Sequence, residues 1–213
     1  MNLTDAIRQR QSIRKFKDQP VPEAMIRIML DAAVLAPSAS NRQPWRFIVL
    51  SDPAIRRQLA EGVKEAVAST AADVLPQYKN DYLSYCRHFL YFEKAPVLIF
   101  ALFRSEATVT SMFSEDSPSF ARVNALELNG AVISVSMAVE NLLLAATDQG
   151  LGTCVMTGPL IAVGAINHVL SVPEGWSILC MVCAGYAGES PNPVRRKTVE
   201  QVLIKSGGRH GAQ

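Results

Sequence analysis

Apolar positions along the 213-residue chain change period several times, and the changes mark the elements. Asn2 or Thr4 can cap a first helix whose apolar side is Leu3, Ala6 and Ile7, and which delivers Arg10 and Ser12 at its end. Pro20-Val21-Pro22 restarts the chain, Pro22 suits a first helical position, and Ile26, Met29, Leu30, Ala33 and Val34 form a helical stripe that stops at Pro37. Trp45 to Leu50 predicts a strand, and Ser51-Asp52-Pro53 opens a helix carrying Ile55, Leu59 and Val63. From about 69 to 93 the pattern is irregular, with Tyr78, Tyr82, Tyr85 and Tyr91 set among charged residues. These rings suit a lid over a flat ligand, while helical spacing makes part of the stretch equally suited to packing, the preferred reading.

Pro96 to Phe103 is too evenly apolar for a surface strand and is expected at the centre of a sheet with both faces covered. After a polar stretch, Ser111 to Ser119, the segment from about Ala121 to Gln149 reads as one helix, apolar nearly all round its middle. Such a helix is buried on most sides, which in a chain of this size points to a dimer interface. Glu140 and Asn141 interrupt it. Glu140 is read as a paired or solvent-reaching carboxylate, with a buried general acid as the alternative. Gly150-Leu151-Gly152 fails the spacing of a dinucleotide loop and precedes a strand where that loop follows one, so Gly150 and Gly152 are read as helix C-cap and turn. Pro159 to Leu170 is a short helix and Trp176 to Tyr186 the last long strand. The tail from Gly188 is extended and basic and ends in Gly207-Gly208.

Length supports one domain over 1–213, with an excursion at about 69–93 and a C-terminal arm at about 188–213. A formal net charge of +2 gives no field strong enough for nucleic acid. Cys86, Cys154, Cys180 and Cys183 do not form a disulfide framework; the last two sit in a strand, three apart, and so point to opposite faces. His88, His168 and His210 have no ligand spacing, and no metal is expected. The opening residues lack a secretory pattern and no apolar run reads as long enough to cross a bilayer, so a soluble, cytoplasmic protein without a membrane partner is expected.

Positive charge is bunched at the two ends, Arg8 to Lys17 and Arg195 to Lys197, so two distant segments could meet on one anion or remain two solvated patches. Arg10-Gln11-Ser12-Ile13-Arg14 offers two guanidinium forks with a hydroxyl between them, the donors that phosphate oxygens or a delocalised anion require. A basic helix end facing its own negative dipole has the same residues. Pro37-Ser38-Ala39-Ser40-Asn41-Arg42-Gln43-Pro44-Trp45 is a loop of small side chains able to approach a planar ligand closely, or an ordinary connection.

Taken in order, Arg10-Gln11-Ser12-Ile13-Arg14-Lys15-Phe16, the Pro20-Val21-Pro22 restart, Ala36 to Phe47 and Gly150-Leu151-Gly152-Thr153-Cys154 resemble the nitroreductase family of FMN-dependent oxidoreductases. The resemblance implies an α+β sandwich, a mainly antiparallel central sheet flanked by helices, in an intertwined homodimer with FMN at the interface. It implies that Arg10 and Ser12 contact the phosphate and ribityl chain with Arg196, assisted by Arg195. Gln11 stands beside them where the family often has another polar or basic residue. Arg14 would face the N1/O2 edge of the ring. Pro37, Ser38, Ala39 and Ser40 would line the flavin from the other subunit, and the backbone at Thr157 and Gly158 would reach N5 and O4. The implied reaction takes hydride from NADH or NADPH at N5 and reduces a nitroaromatic, quinone or similar acceptor by a ping-pong mechanism. No side-chain acid or base is obligatory, and Arg14 would tune the ring. Reductive dehalogenation, enoate reduction, flavin cleavage and non-catalytic flavin binding remain alternatives.

Overall fold

Two stretches, 97–103 and 177–185, have almost nothing polar to present to water on either face, and they are the central pair of the sheet. The protein is described by a computed structural model over residues 1–192 and 194–204. In chain order its elements are α1 (Leu3–Gln9), α2 (Glu23–Ala33), β1 (Trp45–Leu50), α3 (Pro53–Thr70), α4 (Lys79–Cys86), β2 (Val97–Phe103), α5 (Phe120–Asp148), β3 (Gly152–Met156), α6 (Val163–Leu170), β4 (Ser177–Gly185) and α7 (Val199–Val202). The strand order is β1-β2-β4-β3, and every neighbouring pair is antiparallel. This is the α+β sandwich expected. Gly207-Gly208, His210 and Pro193 lie outside the described residues.

Each face of the sheet is covered by its own helices. Ile99, Ala101, Cys180 and Val182 pack beneath α2 and α5, and Leu98, Phe100, Leu102, Met181 and Cys183 pack beneath α3 and α6. Cys180 and Cys183 therefore do face opposite ways. Burial pushes the Cys180 thiol up to about 12 and the Cys183 thiol higher still. All four cysteines are buried and unpaired.

Local chemistry sets the helix ends. The Asn2 side chain accepts from Asp5 N and the Asp52 side chain from Ala54 N, each satisfying an orphan donor of a first turn. Gly150 closes α5 in the left-handed region, φ 75°, as its C-cap role requires. Gly152 differs from the turn expected of it. It opens β3, and an added Cβ there would lie 2.6 Å from Ile13 Cγ1. The absent side chain is what lets the segment after α1 run against the sheet edge, where Ser12 bridges Thr153 and Ile13 N donates to Thr153 O at 2.8 Å.

Three further expectations are modified. The irregular stretch is helical: a turn at Pro76–Tyr78, then α4, then a 3-10 run over Arg87–Lys94. Its single apolar anchors, Cys86 and Phe92, are too sparse to show a period. Second, α5 is long and apolar enough to cross a membrane by length and composition, contrary to the reading of the sequence. Its inner stripe (Val135, Ala138, Leu142, Ala146) is buried against the sheet. Third, burial is on one side only. Leu126, Ile133 and Met137 are 66%, 53% and 43% exposed in the protomer.

Gly152→Ala is expected to lower unfolding free energy by about 1–3 kcal/mol, the cost of overpacking. Urea unfolding measures it, and Ile13→Ala in the same chain should recover part of the loss.

Candidate functional site

The residues after α1 are held by neighbours on both sides. Besides the Thr153 bridge, Lys17 N donates to Tyr186 O at 2.9 Å and Phe16 bridges Ala187. Threading 12–17 between β3 and the chain leaving β4 pins a segment that makes no ladder of its own. It also turns Arg10, Gln11, Ser12 and Arg14 toward one cavity of about 640 Å³. The arm returns to the same cavity through Pro191 and Arg196, so the two basic ends of the chain converge. Arg8 adds a fourth guanidinium, and among the described residues the lining has no carboxylate. Arg10 Nε reaches Glu140 Oε1 on α5 at 3.9 Å, and Glu140 is exposed, a solvent-reaching partner and not a buried acid. Arg195 is exposed and stands outside the lining. Four guanidiniums and a hydroxyl facing one cavity are the donor set that an anion requires.

Arg14 also lines a second cavity, of about 440 Å³, floored by Cys154 to Gly158 and walled by Tyr85, His88, Phe89 and Tyr91. Thr157 and Gly158 therefore lie across a cavity from Arg14. A Cβ on Gly158 would fall 2.2 Å from Phe89 Cδ1, so only glycine lets that ring close on the turn. The Arg14 guanidinium carbon is 6.0 Å from the Tyr91 ring centre. Part of the tyrosine-rich stretch thus walls a cavity and part, Cys86 and Phe92, packs. Tyr85 and Tyr91 are two of the four tyrosines read from the sequence as a lid or as packing, whereas His88 and Phe89 carried no signal there.

The loop at 37–43 lies apart from these cavities. Ser40, Asn41 and Gln43 have φ of 52°, 52° and 49°, a conformation that costs non-glycine residues on the order of 1–3 kcal/mol each. It is held by Ser38 Oγ, accepting from Gln43 N at 3.0 Å, and by Ser134 Oγ on α5, accepting from Ala39 N at 3.2 Å. Ala39 and Ser40 line a separate cavity of about 260 Å³ roofed by Val109 and Leu126. Ser134, beside Ala39, and Glu140, beside Arg10, are six positions apart on α5, ~9 Å along the axis and roughly 120° around it. One protomer does not bring the loop and the cradle together.

The family model described as the nitroreductase family matches residues 7–186. The chain belongs to the nitroreductase family. An NADH dehydrogenase of Thermus thermophilus is 32% identical over 96% of both chains. A BluB-like flavoprotein structure from Clostridium difficile superposes with a TM-score of 0.85 at 25% identity, covering 96% of this chain and 99% of that one. Iodotyrosine deiodinase bound to FMN and 3-iodo-L-tyrosine superposes at 0.71 with 23% identity, over 97% and 100%, a likeness of fold. The sandwich and the oxidoreductase class expected of a nitroreductase stand on these findings.

One further carboxylate organises this nitroreductase beside its loop. Glu127 on α5 accepts from Val109 N at 2.9 Å, Thr110 N at 3.1 Å and Thr110 Oγ1 at 2.6 Å, and pairs with Arg42 Nη1 at 3.3 Å. The Thr110 hydroxyl first, then the Val109 amide, hold its carboxyl down to about 2. The stretch before α5, which supplies Val109 and Thr110, gave no sign of this, because the acceptor lies on the helix that follows it. A carboxyl depressed by folding stabilises the chain above the ordinary glutamate range and loses that effect as pH falls toward 2. A carbon-13 NMR titration should place the Glu127 midpoint near 2, and Thr110→Val should raise it.

Proposed function

We propose that the chain binds FMN between its arginine cradle and the 37–40 loop of a second copy, and serves as an NAD(P)H oxidoreductase for an electron-poor small-molecule acceptor. The observation that supports this best is the meeting of Arg10, Arg14 and Arg196 on one cavity whose described lining has no carboxylate. The donor set fits the cofactor: clustered guanidiniums and a hydroxyl at one end, and at the other a cavity with bare backbone at Gly158. When bound, FMN carries reducing equivalents from NADH or NADPH to the acceptor in alternating half-reactions.

In this reading Arg10, Ser12 and Arg196 hold the phosphate, with Gln11 beside them and Arg195 assisting from the arm. Arg14 is a fixed cation at the edge of the ring where negative charge collects on reduction, worth more there than in water because it needs no reorganisation. The backbone of Thr157 and Gly158 orients the ring on the opposite side. Pro37, Ser38, Ala39 and Ser40 close over it from the partner, their strained turn already set before the ligand arrives. No side-chain acid or base is assigned. The homodimer reading is supported by the apolar outer face of α5 (Leu126, Ile133, Met137), too large a group of exposed side chains for a helix that meets only water. A cytoplasmic setting accords with four buried, unpaired thiols. Sequence likeness to iodotyrosine deiodinase 1 of Rattus norvegicus, 27% identical over 94% of this chain and 68% of that one, favours a second reading in which the acceptor is a halogenated aromatic.

Purified protein is expected to be yellow and to bleach on anaerobic addition of NADH or NADPH; a yellow protein that neither donor bleaches counts against an oxidoreductase role. Screening nitroaromatic, quinone and iodinated aromatic oxidants against the reduced protein separates the two readings. Arg14→Ala should weaken FMN binding about tenfold, as the loss of a charge-assisted contact does, and slow flavin reduction, whereas Arg87→Ala leaves the flavin spectrum unchanged. Ile133→Asp is expected to give a monomer by sedimentation that no longer retains FMN, and a dimer that still holds flavin would contradict the shared site.

A further inference from the structure

Arg14 lies on a segment without helix or ladder, yet its backbone and that of Lys15 are tied to the arm. The N–H groups of Arg14 and Lys15 both donate to one oxygen, Glu189 Oε1, at 2.7 and 3.0 Å. One residue earlier on the arm, Gly188 N donates to Lys15 O at 2.9 Å. Glu189 is thus the first residue of the arm to grip the cradle with a side chain, and the same arm carries Arg196 back to the phosphate end. The Arg14 amide first, then the Lys15 amide and the two nearby positive charges, lower the Glu189 carboxyl, which is ionised at neutral pH.

A guanidinium on a flexible stem is only as well placed as the Cα that carries it. Two successive amides fixed on one carboxylate oxygen remove the rotation that would swing the Arg14 Cα, and Arg14 is the residue shared by the anion cavity and the Gly158 cavity. On the reading that FMN occupies these cavities, we propose that Glu189 is a positioning residue: its carboxylate sets the Arg14 guanidinium at the ring edge and fixes the foot of the arm that brings Arg196 to the phosphate. It acts through Arg14 on the ring and through the arm on the phosphate, and it touches neither the cofactor nor the acceptor.

The two routes separate in experiment. Glu189→Gln keeps a single acceptor oxygen for both amides and removes the charge, whereas Glu189→Ala removes both. Glu189→Asp, one methylene short of the amides, replaces the alanine variant where that chain does not fold. Amide exchange in flavin-free protein, the FMN dissociation constant and the midpoint potential of bound FMN are measured for each. Glu189→Ala is expected to speed exchange at Arg14 and Lys15, raise the FMN dissociation constant about tenfold and lower the potential, since a misplaced cation no longer favours the reduced ring. Glu189→Gln should keep exchange and affinity within about twofold, because the amide bonds survive, and raise the potential, because a negative charge near Arg14 is gone. In an Arg14→Ala background, Glu189→Ala should lower the potential no further while still weakening affinity through the arm.

An unchanged potential in Glu189→Ala, or an equal drop with and without Arg14, overturns the positioning role. If Arg14→Ala shifts potential and affinity but Glu189→Ala does not, this inference falls and the FMN site stands. If wild-type protein takes up no FMN, or Arg14→Ala changes neither quantity, the site reading fails and takes the inference with it.

Discussion

Every layer of the molecule follows from the β2–β4 pair, which is apolar on both faces and so has to be roofed twice. Leaving either face wet would expose several large side chains, each disfavoured by roughly 1.5–3 kcal/mol. One roof is α2 with α5, the other α3 with α6. Because α5 covers the sheet and then feeds directly into edge strand β3 through Gly150, the cradle segment that rests on β3 inherits its position from that helix.

Charge is distributed by a simple rule around the candidate site. Among the described residues the walls of the cradle cavity hold no carboxylate, Arg10 reaching Glu140 on α5 instead, while two other carboxylates are occupied with backbone amides. Glu189 takes the amides of Arg14 and Lys15, and Glu127 takes those of Thr108, Val109 and Thr110. Among the described residues Glu189 forms no ion pair beyond these amide bonds, whereas Glu127 also pairs with Arg42. The same bonds order two irregular segments, the cradle and the roof of the loop cavity, that have no ladder to hold them.

The loop and the cradle meet different faces of α5, and neither covers its exposed apolar side. Within one protomer Ala39 leans on Ser134 while Arg10 reaches toward Glu140. Ile133 and Met137 on the same helix stay exposed in the protomer. Strain at Ser40, Asn41 and Gln43 is stored in the loop by bonds from Ser38 and Ser134 whether or not a ligand is present.

The strands, the long helix, the capped starts at Asn2 and Asp52 and the family motifs were legible because each depends on residues near in sequence: a period, a cap, or a spacing. Arg10, Ser12 and Arg14 were legible as a cluster for the same reason. The chain by itself could not tell a basic helix end from an anion site, nor Gly152 as a turn from Gly152 as the gap that admits Ile13. It gave no period for about 69–93, where the buried apolar positions, Ala71, Cys86 and Phe92, are widely spaced. Glu127 and Glu189 were silent because a carboxylate's partner amides have no residue identity, and only folding brings them within reach. Local periodicity thus determined the elements and the chemistry available at each end of the chain. The tertiary structure alone decided which distant segments share a cavity, because that depends on how two apolar faces are roofed and where the chain must run once they are.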